Sequence, residues 1–586
     1  MQKKSSNDIS YLRACEEIAN DILTLDINNP HIKKEIFSLI KKKSSKYKLS
    51  KIPKNVDILK LLPEDNNYKK LLKLKPSKTS SGIAVITVMP MPFECPHGKC
   101  IYCPGGIEVN TPLSYVGTEP ATKIAQHANY DPFRQIWSKV IQLLERGHSV
   151  DKAELVIVGG TFPFYPIKYQ KDFVKKCYDA FNLFDSHLFN YKNNDNLESI
   201  QNDLGLNFEL IVYLEKAKKN NEKSNIRCVG LTIETKPDYC KKEHIDIMLE
   251  LGTTRIEIGV QSLSDEVYKA INRGHTLSDV YEGFYLAKNC GYKIAAHMMP
   301  GLPKSSINKD IEDFKKLFED EKLRPDMLKI YPTLVIKNTG LYKLYQEKKY
   351  NSYSTEDLVR ILVEVKKIIP PWTRIMRIQR EIESDDIVSG PKMGNLRQLV
   401  LKELDKQGVK CKCIRCREIG LKDLKNEFSS TDIKLNRTDY LSSNGKEIFL
   451  SFESNDNNII FGFLRLRIMS DPQRNELKEN NGITEKESNG AIITGKKILS
   501  GVVRELHVYG PLAKIGFKST ENNALKRKGF IYQHKGLGQN LLKEAEKICK
   551  QEYNLKKLSV ISAIGTREYY KKFGYVINGP YVTKAL

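Results

Sequence analysis

"CPHGKCIYCPGG", residues 95–106, brings three cysteines within nine residues, at positions 95, 100 and 103 with the spacing C-x4-C-x2-C. It follows an apolar run at 83–89 that has the composition of a β-strand, and it ends in a pair of glycines. Thiols crowded in this way are typical of metal ligands or redox groups. The fold therefore has to present a cysteine loop directly after a strand.

Strand-like and helix-compatible segments alternate from about residue 81 to residue 340. This rhythm predicts parallel βα units, and we expect an α/β fold that contains a partial (β/α)6 barrel. Its site is expected at the C-terminal ends of the strands, where turns such as Gly159-Gly160-Thr161 occur. The expected strands are residues 83–89, 155–158, 228–233, 255–260, 293–297 and 327–331.

Three cysteine thiolates can hold three irons of a [4Fe–4S] cluster and leave the fourth iron open. An open iron can bind the amino and carboxylate groups of S-adenosylmethionine, which on reduction releases a 5′-deoxyadenosyl radical. We therefore predict Cys95, Cys100 and Cys103 as cluster ligands. Gly159 and Gly160 are expected to receive the methionine amino group, and a plain tight turn is the alternative. For the cysteines the alternative is a zinc knuckle that uses the motif's histidine in a strained geometry.

The chain has 586 residues and a formal net charge of +24. The length indicates two or three domains. The charge favours a polyanionic partner, nucleic acid before membrane, and a lysine-rich solvated surface is the alternative. The first ten residues lack the apolar core of a signal peptide, and no run reaches the ~18 apolar residues of a membrane span. We expect a cytoplasmic protein without a membrane partner.

Four regions are expected along the chain. The first is helical and basic, with 18 Lys+Arg against 9 Asp+Glu, and the second is the barrel. A connecting region with a second cysteine triplet follows, and an α+β domain with hairpin-like strands and two helices ends the chain. The expected regions are 1–80, 81–340, 341–440 and 441–586.

Near the C-terminus, "YQHKGLG" (532–538) precedes an amphipathic helical stretch. Gln533, Gly536 and Gly538 form the pattern Q-x-x-G-x-G, and backbone N–H groups at such a helix start can cradle a pyrophosphate. The apolar strand "VVRELHVYG" (502–510) lies before it and "REYYKKFGY" (567–575) after it. This order predicts a GCN5-related acetyltransferase domain, which binds coenzyme A thioesters. A general nucleotide-binding loop is the alternative.

Three side chains of this domain are candidates for chemistry. Tyr569 and Tyr570 begin the last helix, where a tyrosine can face the thioester sulfur and protonate it. Packing of an aromatic pair in the core is the alternative for at least one of them. Glu505 is either a general base or a strand residue whose backbone lines the pantetheine arm, and we favour the second interpretation.

Several segments resemble the catalytic-subunit family of Elongator and its single-chain archaeal and bacterial relatives. They include "CIYCPGG", "TIETKPDYC" (232–240), "NRGHT" (272–276), "AHMMPGLP" (296–303), "VRELHVYG" and the tail "YQHKGLG…REYYKKFGY". The resemblance covers about residues 50–586. It implies a radical S-adenosylmethionine (radical SAM) enzyme that uses acetyl-CoA in the first step of making carboxymethyluridine at the wobble position of tRNA.

The resemblance also implies roles for single residues. Cys95, Cys100 and Cys103 match the cluster ligands, and the tyrosine pair matches the thioester contact. Lys152 matches a lysine that reaches acetyl-CoA from the radical domain. The positions that match the acetyl-CoA strand and the approach to the pyrophosphate are Glu505, Leu506, His507 and Val508, followed by Tyr532, Gln533 and His534.

The second triplet is Cys411, Cys413 and Cys416 in "CKCIRC". It departs from the eukaryotic members of the family, which lack the full triplet, and it is present in prokaryotic members. Its C-x-C-x2-C spacing can bind zinc with one outside ligand. We predict a structural zinc site between the domains, and a second iron–sulfur cluster is the alternative.

The combined prediction is an acyl-transferring enzyme that places a carboxymethyl group on carbon 5 of the wobble uridine. Its expected partners are the anticodon stem-loop of tRNA, acetyl-CoA and an external electron donor, with a homodimer as a further expectation. The basic region 1–80 would bind tRNA. Two alternatives come from other classes: a protein lysine acetyltransferase with a scaffolding radical domain, and a non-catalytic tRNA-binding scaffold.

Overall fold

In the computed structural model, two seven-stranded sheets organise the chain. The structure describes residues 6–27, 29–63, 68–184, 213–423, 433–479, 499–510 and 536–586. Among the helices of these residues, none combines the length and the apolarity that crossing a bilayer requires.

The first sheet is an open barrel of parallel strands in the order β1-β2-β3-β4-β5-β6-β8. Its edge strands β1 and β8, both within the described residues, do not pair, so the barrel is partial as expected. The strands are β1 (Ala84–Val88), β2 (Lys152–Ile157), β3 (Arg227–Thr235), β4 (Arg255–Gln261), β5 (Lys293–Met298), β6 (Met327–Ile330) and β8 (Arg374–Arg377).

Six of these strands were predicted, and the seventh, β8, corrects the six-stranded expectation. β8 has only four residues, two of them arginines, so its sequence lacks the apolar run of a buried parallel strand. A small antiparallel pair lies beside it, formed by β7 (Val335–Ile336) and β9 (Ile387–Ser389).

Helices cover the outer face of the barrel, because the outward side chains of the strands are apolar. Leu155 and Ile157 of β2 are fully buried there in one cluster with Phe133, Trp137 and Phe173. The helices from the barrel through the connecting region are α5 (Pro120–His127), α6 (Pro132–Glu145), α7 (Ile167–Asn182), α8 (Leu214–Asn221), α9 (Lys242–Glu250), α10 (Asp265–Ala270), α11 (Leu277–Asn289), α12 (Ile307–Glu319), α13 (Gly340–Gln346), α14 (Thr355–Ile368), α15 (Leu396–Lys406), α16 (Ile414–Arg417) and α17 (Ile419–Asp423).

The N-terminal segment is helical, as its sequence predicts. Ile18, Ile22, Ile36 and Ile40 form its own small core at helical spacing. The segment contacts the barrel region at the end of α6: the backbone N–H of Leu74 donates to the carbonyl of Arg146 at 3.2 Å, and Lys60 pairs with Glu145. Its helices are α1 (Ser6–Thr24), α2 (Ile32–Lys46), α3 (Asn55–Leu59) and α4 (Tyr68–Leu72).

The second sheet is the α+β domain, in the order β10-β11-β12-β13-β14-β16-β15. Its pairs are antiparallel except β13 with β14. Helix α18 (Leu537–Gln551) packs its apolar face onto the sheet, and α19 (Arg567–Lys571) follows β14. The strands are β10 (Ile433–Ser442), β11 (Gly445–Ser454), β12 (Ile460–Met469), β13 (Ser500–Val508), β14 (Lys557–Val560), β15 (Val576–Asn578) and β16 (Tyr581–Ala585).

A buried ion pair joins the two sheets. The register between β12 and β13 shifts so that Arg504 is an unpaired bulge residue, and its guanidinium reaches Asp326 at the start of β6. Both carboxylate oxygens of Asp326 accept hydrogen bonds from it, at 2.7 and 2.6 Å. Arg504 also donates to the carbonyl of Tyr292 at 2.7 Å and to Glu447 at 2.7 Å. These contacts hold β13 against the N-terminal ends of the barrel strands.

Removing one partner of this pair should destabilise the protein strongly. Asp326→Asn keeps the size but removes the charge, which leaves the fully buried guanidinium of Arg504 to share Glu447 with Arg467. We expect a loss of about 3–5 kcal/mol in the free energy of unfolding, read as a lower midpoint in urea. Glu552→Gln, which breaks the largely exposed pair with Arg437, is the control and should cost less than about 1 kcal/mol. Equal shifts in the two variants would contradict this view of the interface.

Candidate active site

The cysteine loop lies at the C-terminal ends of the first four barrel strands. Cys95, Cys100 and Cys103 border a cavity of about 50 Å³. Gly159 and Gly160 both have φ of +119°, in the region that favours glycine, and Gly160 lies in the cavity wall. The C-terminal ends of β3 and β4, with the turns after β2 and β3, supply the other walls through Thr161, Glu234, Thr235, Lys236, Gly259 and Gln261.

The three sulfurs are too widely spaced to share one zinc ion. Among the described residues, the Sγ atoms of Cys95, Cys100 and Cys103 do not all lie within 4.8 Å of one another, whereas tetrahedral zinc needs sulfur–sulfur distances of about 3.8 Å. His97 stands between two of them, with Nδ1 3.1 Å from Cys95 Sγ and Nε2 3.1 Å from Cys100 Sγ. The geometry favours a multi-iron cluster over the zinc knuckle.

Polar atoms around the cavity suit an anionic group. The Nε–H donor of Arg273 is buried without a hydrogen-bond partner in the described part of the chain. Arg273 also donates to Cys100 Sγ at 3.7 Å, and the backbone N–H of Ser114 donates to Cys103 Sγ at 3.0 Å. Burial raises the pKa of Cys103 to about 11, so the thiolate form needs positive charge beside it, which a metal supplies. The residues present therefore fit an iron–sulfur cluster.

A larger cavity of about 1590 Å³ lies at the opposite, N-terminal ends of the same strands. Its wall includes the first residue of six barrel strands: Lys152, Arg227, Arg255, Lys293, Met327 and Arg374. The facing wall comes from the second sheet and contains Glu505, Leu506, His507, Val508, Gly536, Gly538, Tyr569 and Tyr570. The structure thus brings Lys152 together with the predicted acetyl-CoA residues.

The second sheet opens at the point where this cavity begins. β13 and β14 pair only through Val502 and Val503, and beyond them the two strands diverge. Helix α18 starts beside the gap, with Gly536 at φ +81° as its N-cap residue, so its unpaired N–H groups point toward the cavity. Tyr532, Gln533 and His534 lie outside the described residues.

The two tyrosines occupy different surroundings. Tyr570 is buried in the core of the second sheet, whereas Tyr569 is 37% exposed. The Tyr569 hydroxyl lies 2.8 Å from where a Cβ on Gly538 would stand, so glycine there leaves room for it. Burial raises the pKa of Tyr569 to about 12, and the hydroxyl therefore keeps its proton at neutral pH. Tyr569 is the better placed of the pair to donate a proton.

Two other predicted residues are fixed by contacts. Glu505 accepts a hydrogen bond from Arg465 at 2.9 Å; burial alone would raise its pKa, but the charges of Arg465 and Lys293 lower it. An ion-paired carboxylate is a poor base, which agrees with a lining role. The second is His507, whose Nε2 lies 3.0 Å from the carbonyl oxygen of Ser81. For Lys152, burial lowers the pKa of the side-chain amine.

Known proteins support both halves of this arrangement. Family models match residues 89–318 (Radical SAM superfamily), 325–406 (Radical_SAM C-terminal domain), 11–80 (ELP3 N-terminal domain) and 514–585 (Acetyltransferase (GNAT) domain). Elongator complex protein 3 of Homo sapiens is 39% identical over 100% of both chains. That of Saccharomyces cerevisiae is 39% identical over 98% of this chain and 96% of its own. The chain belongs to the Elongator complex protein 3 family.

A solved structure agrees with the assignment. The archaeal Methanocaldococcus infernus Elp3 with an N-terminal deletion matches with a TM-score of 0.68 and 38% identity, over 86% of this chain and 100% of that chain. Membership of the Elongator complex protein 3 family confirms the radical SAM barrel and the acetyltransferase sheet. The radical SAM domain implies a [4Fe–4S] cluster and S-adenosylmethionine, and the GNAT domain implies acetyl-CoA.

The large cavity continues along the open seam of the barrel. Val85 of edge strand β1 and Met376 and Arg377 of edge strand β8 line it. Basic side chains continue the wall beyond β8, at Arg380, Lys392 and Arg397. In this family member the unpaired edge is therefore a basic cleft that starts at the predicted acetyl-CoA residues.

Ionised side chains, instead of apolar layers, fill the barrel interior. Glu257 lies at their centre: it pairs with Lys329, it lies 3.1 Å from His297 Nε2, and its other oxygen is 3.4 Å from Arg255. His297 Nδ1 is 3.4 Å from Glu234, which borders the cysteine cavity. Arg255, at the other end, borders the large cavity. A continuous chain of charged groups thus runs from one cavity to the other.

The second cysteine triplet forms a compact group. The Sγ atoms of Cys411, Cys413 and Cys416 all lie within 4.8 Å of one another, as one tetrahedral ion requires. Lys366 of α14 donates to Cys411 Sγ at 3.3 Å and to Cys416 Sγ at 3.5 Å. The donor set fits zinc, and the zinc assignment itself stays a prediction.

Sequence reasoning missed several residues that shape the site. Arg273 and Glu234 stand in the sequence analysis only as members of the segments "NRGHT" and "TIETKPDYC". Glu234 lies at the C-terminal end of β3, so its position along the chain was an available signal, whereas Arg273 follows α10. His297 and Arg504 carried no such signal, because their partners are distant in sequence.

Removing one thiol of the compact triplet tests the zinc prediction. Cys413→Ser should lower the zinc content of the purified protein from about one per chain to near zero, because a hydroxyl is a poor zinc ligand, while iron content stays unchanged. Metal analysis by mass spectrometry measures both. Cys290→Ala, at a lone buried cysteine, is the control and should keep its zinc. Iron lost in parallel with zinc from Cys413→Ser would favour the second-cluster alternative.

Proposed function

We propose that this chain is a tRNA-modifying radical SAM enzyme that uses acetyl-CoA to install a carboxymethyl group on carbon 5 of the wobble uridine. One observation carries the proposal: the barrel has a cysteine loop at one end, the second sheet presents the predicted acetyl-CoA residues to its other end, and a basic cleft runs along its seam. The proposal assigns tRNA binding to 1–80, radical chemistry to 81–340, a zinc-containing link to 341–440 and acetyl-CoA binding to 441–586.

In the radical domain, Cys95, Cys100 and Cys103 would hold the cluster, and Gly159 and Gly160 would let the backbone approach the methionine part of S-adenosylmethionine. When bound, the cluster and S-adenosylmethionine together would supply a radical that can remove hydrogen from the acetyl methyl group.

In the acetyltransferase domain, the backbone of β13 from Glu505 to Val508 would line the pantetheine arm. The N-terminus of α18 at Gly536 and Gly538 would receive the pyrophosphate. Tyr569, which keeps its proton at neutral pH, would protonate the departing thiolate when water cleaves the thioester. Lys152 faces the same cavity from the barrel and would contact the acyl end.

The basic cleft would take the anticodon stem-loop. Arg377, Arg380, Lys392 and Arg397 line it and can contact phosphates. Chemistry on carbon 5 needs an unstacked base, and single-stranded loops supply one. An external electron donor, a cytoplasmic location and a homodimer stay predictions. A lysine acetyltransferase would use only the second sheet and would leave the cysteine loop without a task.

Two variants should lose the modification for different reasons. Gly536→Glu places an anion, in a strained backbone, where the pyrophosphate would lie; it should fail to bind acetyl-CoA yet still cleave S-adenosylmethionine. Cys100→Ser should show the reverse, with acetyl-CoA bound and no 5′-deoxyadenosine formed. Neither should yield carboxymethyluridine when incubated anaerobically with both small molecules, reductant and bulk tRNA, as read by mass spectrometry of nucleosides.

Gly408→Glu is the matched control. Gly408 also has a positive φ, of +66°, with no atom within 4 Å of the place that a Cβ would take, and it lines neither cavity. The Gly408→Glu variant should modify tRNA at the wild-type level. If Gly536→Glu modifies tRNA as well as Gly408→Glu does, the acetyl group does not come from a thioester held at α18, and the two-site proposal fails.

A further inference from the structure

Arg273 is a buried cation with no carboxylate beside it. Its residue is 8% exposed, and it follows α10 in a loop that reaches under the cysteines. One terminal nitrogen donates to the carbonyl of Gly259 at 2.8 Å and the other to Cys100 Sγ at 3.7 Å. Its Nε has no partner among the described residues. No ion pair joins Arg273 to an acidic side chain in that part of the chain.

Other deeply buried arginines of this protein are neutralised by carboxylates. Arg465 lies 2.9 Å from Glu505, and Arg504 lies 2.6 Å from Asp326. Burying an ionised guanidinium without such a partner is costly. Arg273 therefore needs an anion from another source. The sulfur of Cys100 accepts its hydrogen bond at 3.7 Å, and Tyr102 and Cys95 are its other acidic neighbours.

The neighbouring cation does not share this need. Lys236 is also buried, but its Nζ lies 3.1 Å from Asp238 Oδ2, so a carboxylate balances it. The barrel also leaves space for the guanidinium: a Cβ on Gly259 would stand 2.4 Å from a terminal nitrogen of Arg273. Glycine in β4 at this point is what lets the arginine approach the cysteine loop.

We propose that Arg273 is the fixed counter-ion of the cysteine-bound cluster and that its charge raises the reduction potential of that cluster. The inference rests on the assignment of Cys95, Cys100 and Cys103 as cluster ligands. Reduction adds one electron to an already anionic group, and a positive charge held at a ligand sulfur favours the more negative state. Arg273 acts through Cys100 and is a positioning residue.

The test compares Arg273→Gln with Arg273→Lys in the full-length protein after anaerobic reconstitution of iron and sulfide. Glutamine can still donate to the Gly259 carbonyl but carries no charge, whereas lysine keeps the charge. Redox titration followed by electron paramagnetic resonance gives the midpoint potential. We expect a more negative midpoint for Arg273→Gln and a midpoint close to wild type for Arg273→Lys. Lys236→Gln, which removes a cation that already has its carboxylate, should shift the midpoint less than Arg273→Gln.

Each result decides one question. A cluster in Arg273→Gln with the wild-type midpoint overturns the proposal. If Arg273→Gln assembles no cluster, Arg273→Lys decides: a cluster of wild-type midpoint supports the counter-ion role, and no cluster overturns it. If the wild-type protein itself binds no cluster, the ligand assignment and the proposed function fail, which is a different outcome from a failure of Arg273 alone.

Discussion

The geometry of this protein depends on the buried pair between Arg504 and Asp326. Asp326 precedes β6 of the barrel. Arg504 is the bulge residue of β13, the strand that diverges from β14 in the acetyltransferase sheet. Because the bulge turns this one side chain toward the barrel, the diverging end of β13 faces the N-terminal ends of the barrel strands. The large cavity exists between these two surfaces. A fully hydrogen-bonded pair also fixes orientation more sharply than apolar packing would, since both carboxylate oxygens are used.

The charged interior of the barrel has a related explanation. A closed barrel fills its interior with branched apolar layers, whereas this interior holds charged side chains that are almost completely buried, with Glu257 at 0% exposed. Glu257 is surrounded by Lys329, Arg255 and His297, which satisfies it in place of water. His297 lies between two carboxylates, with Nδ1 3.4 Å from Glu234 and Nε2 3.1 Å from Glu257. The stability of the barrel comes from its outer layer, where strands meet helices.

The sequence predicted those parts of the molecule that depend on local pattern. Six of the parallel strands follow from apolar runs, and the cysteine loop follows from its spacing. β8 was missed because two of its four residues are arginines. Arg273 and Arg504 could not be assigned, since a buried charge is explained only by its partner, and Arg504 and Asp326 are 178 positions apart. The distances between sulfur atoms in the two cysteine triplets could not be predicted either, because similar spacings along the chain give one widely spaced and one compact group.

The missing hydrogen bonds between β1 and β8 give the barrel a mechanical property. In a closed barrel any widening breaks ladder bonds, and each buried unpaired backbone group is costly. Here the two edge strands share none, so a bulky guest can wedge them apart without unzipping a strand. From Lys152 to Gly159 the wall spans seven residue steps, or roughly 23 Å at the rise of a parallel strand. The seam is thus a slot whose depth is set by the strands and whose width no ladder bond fixes.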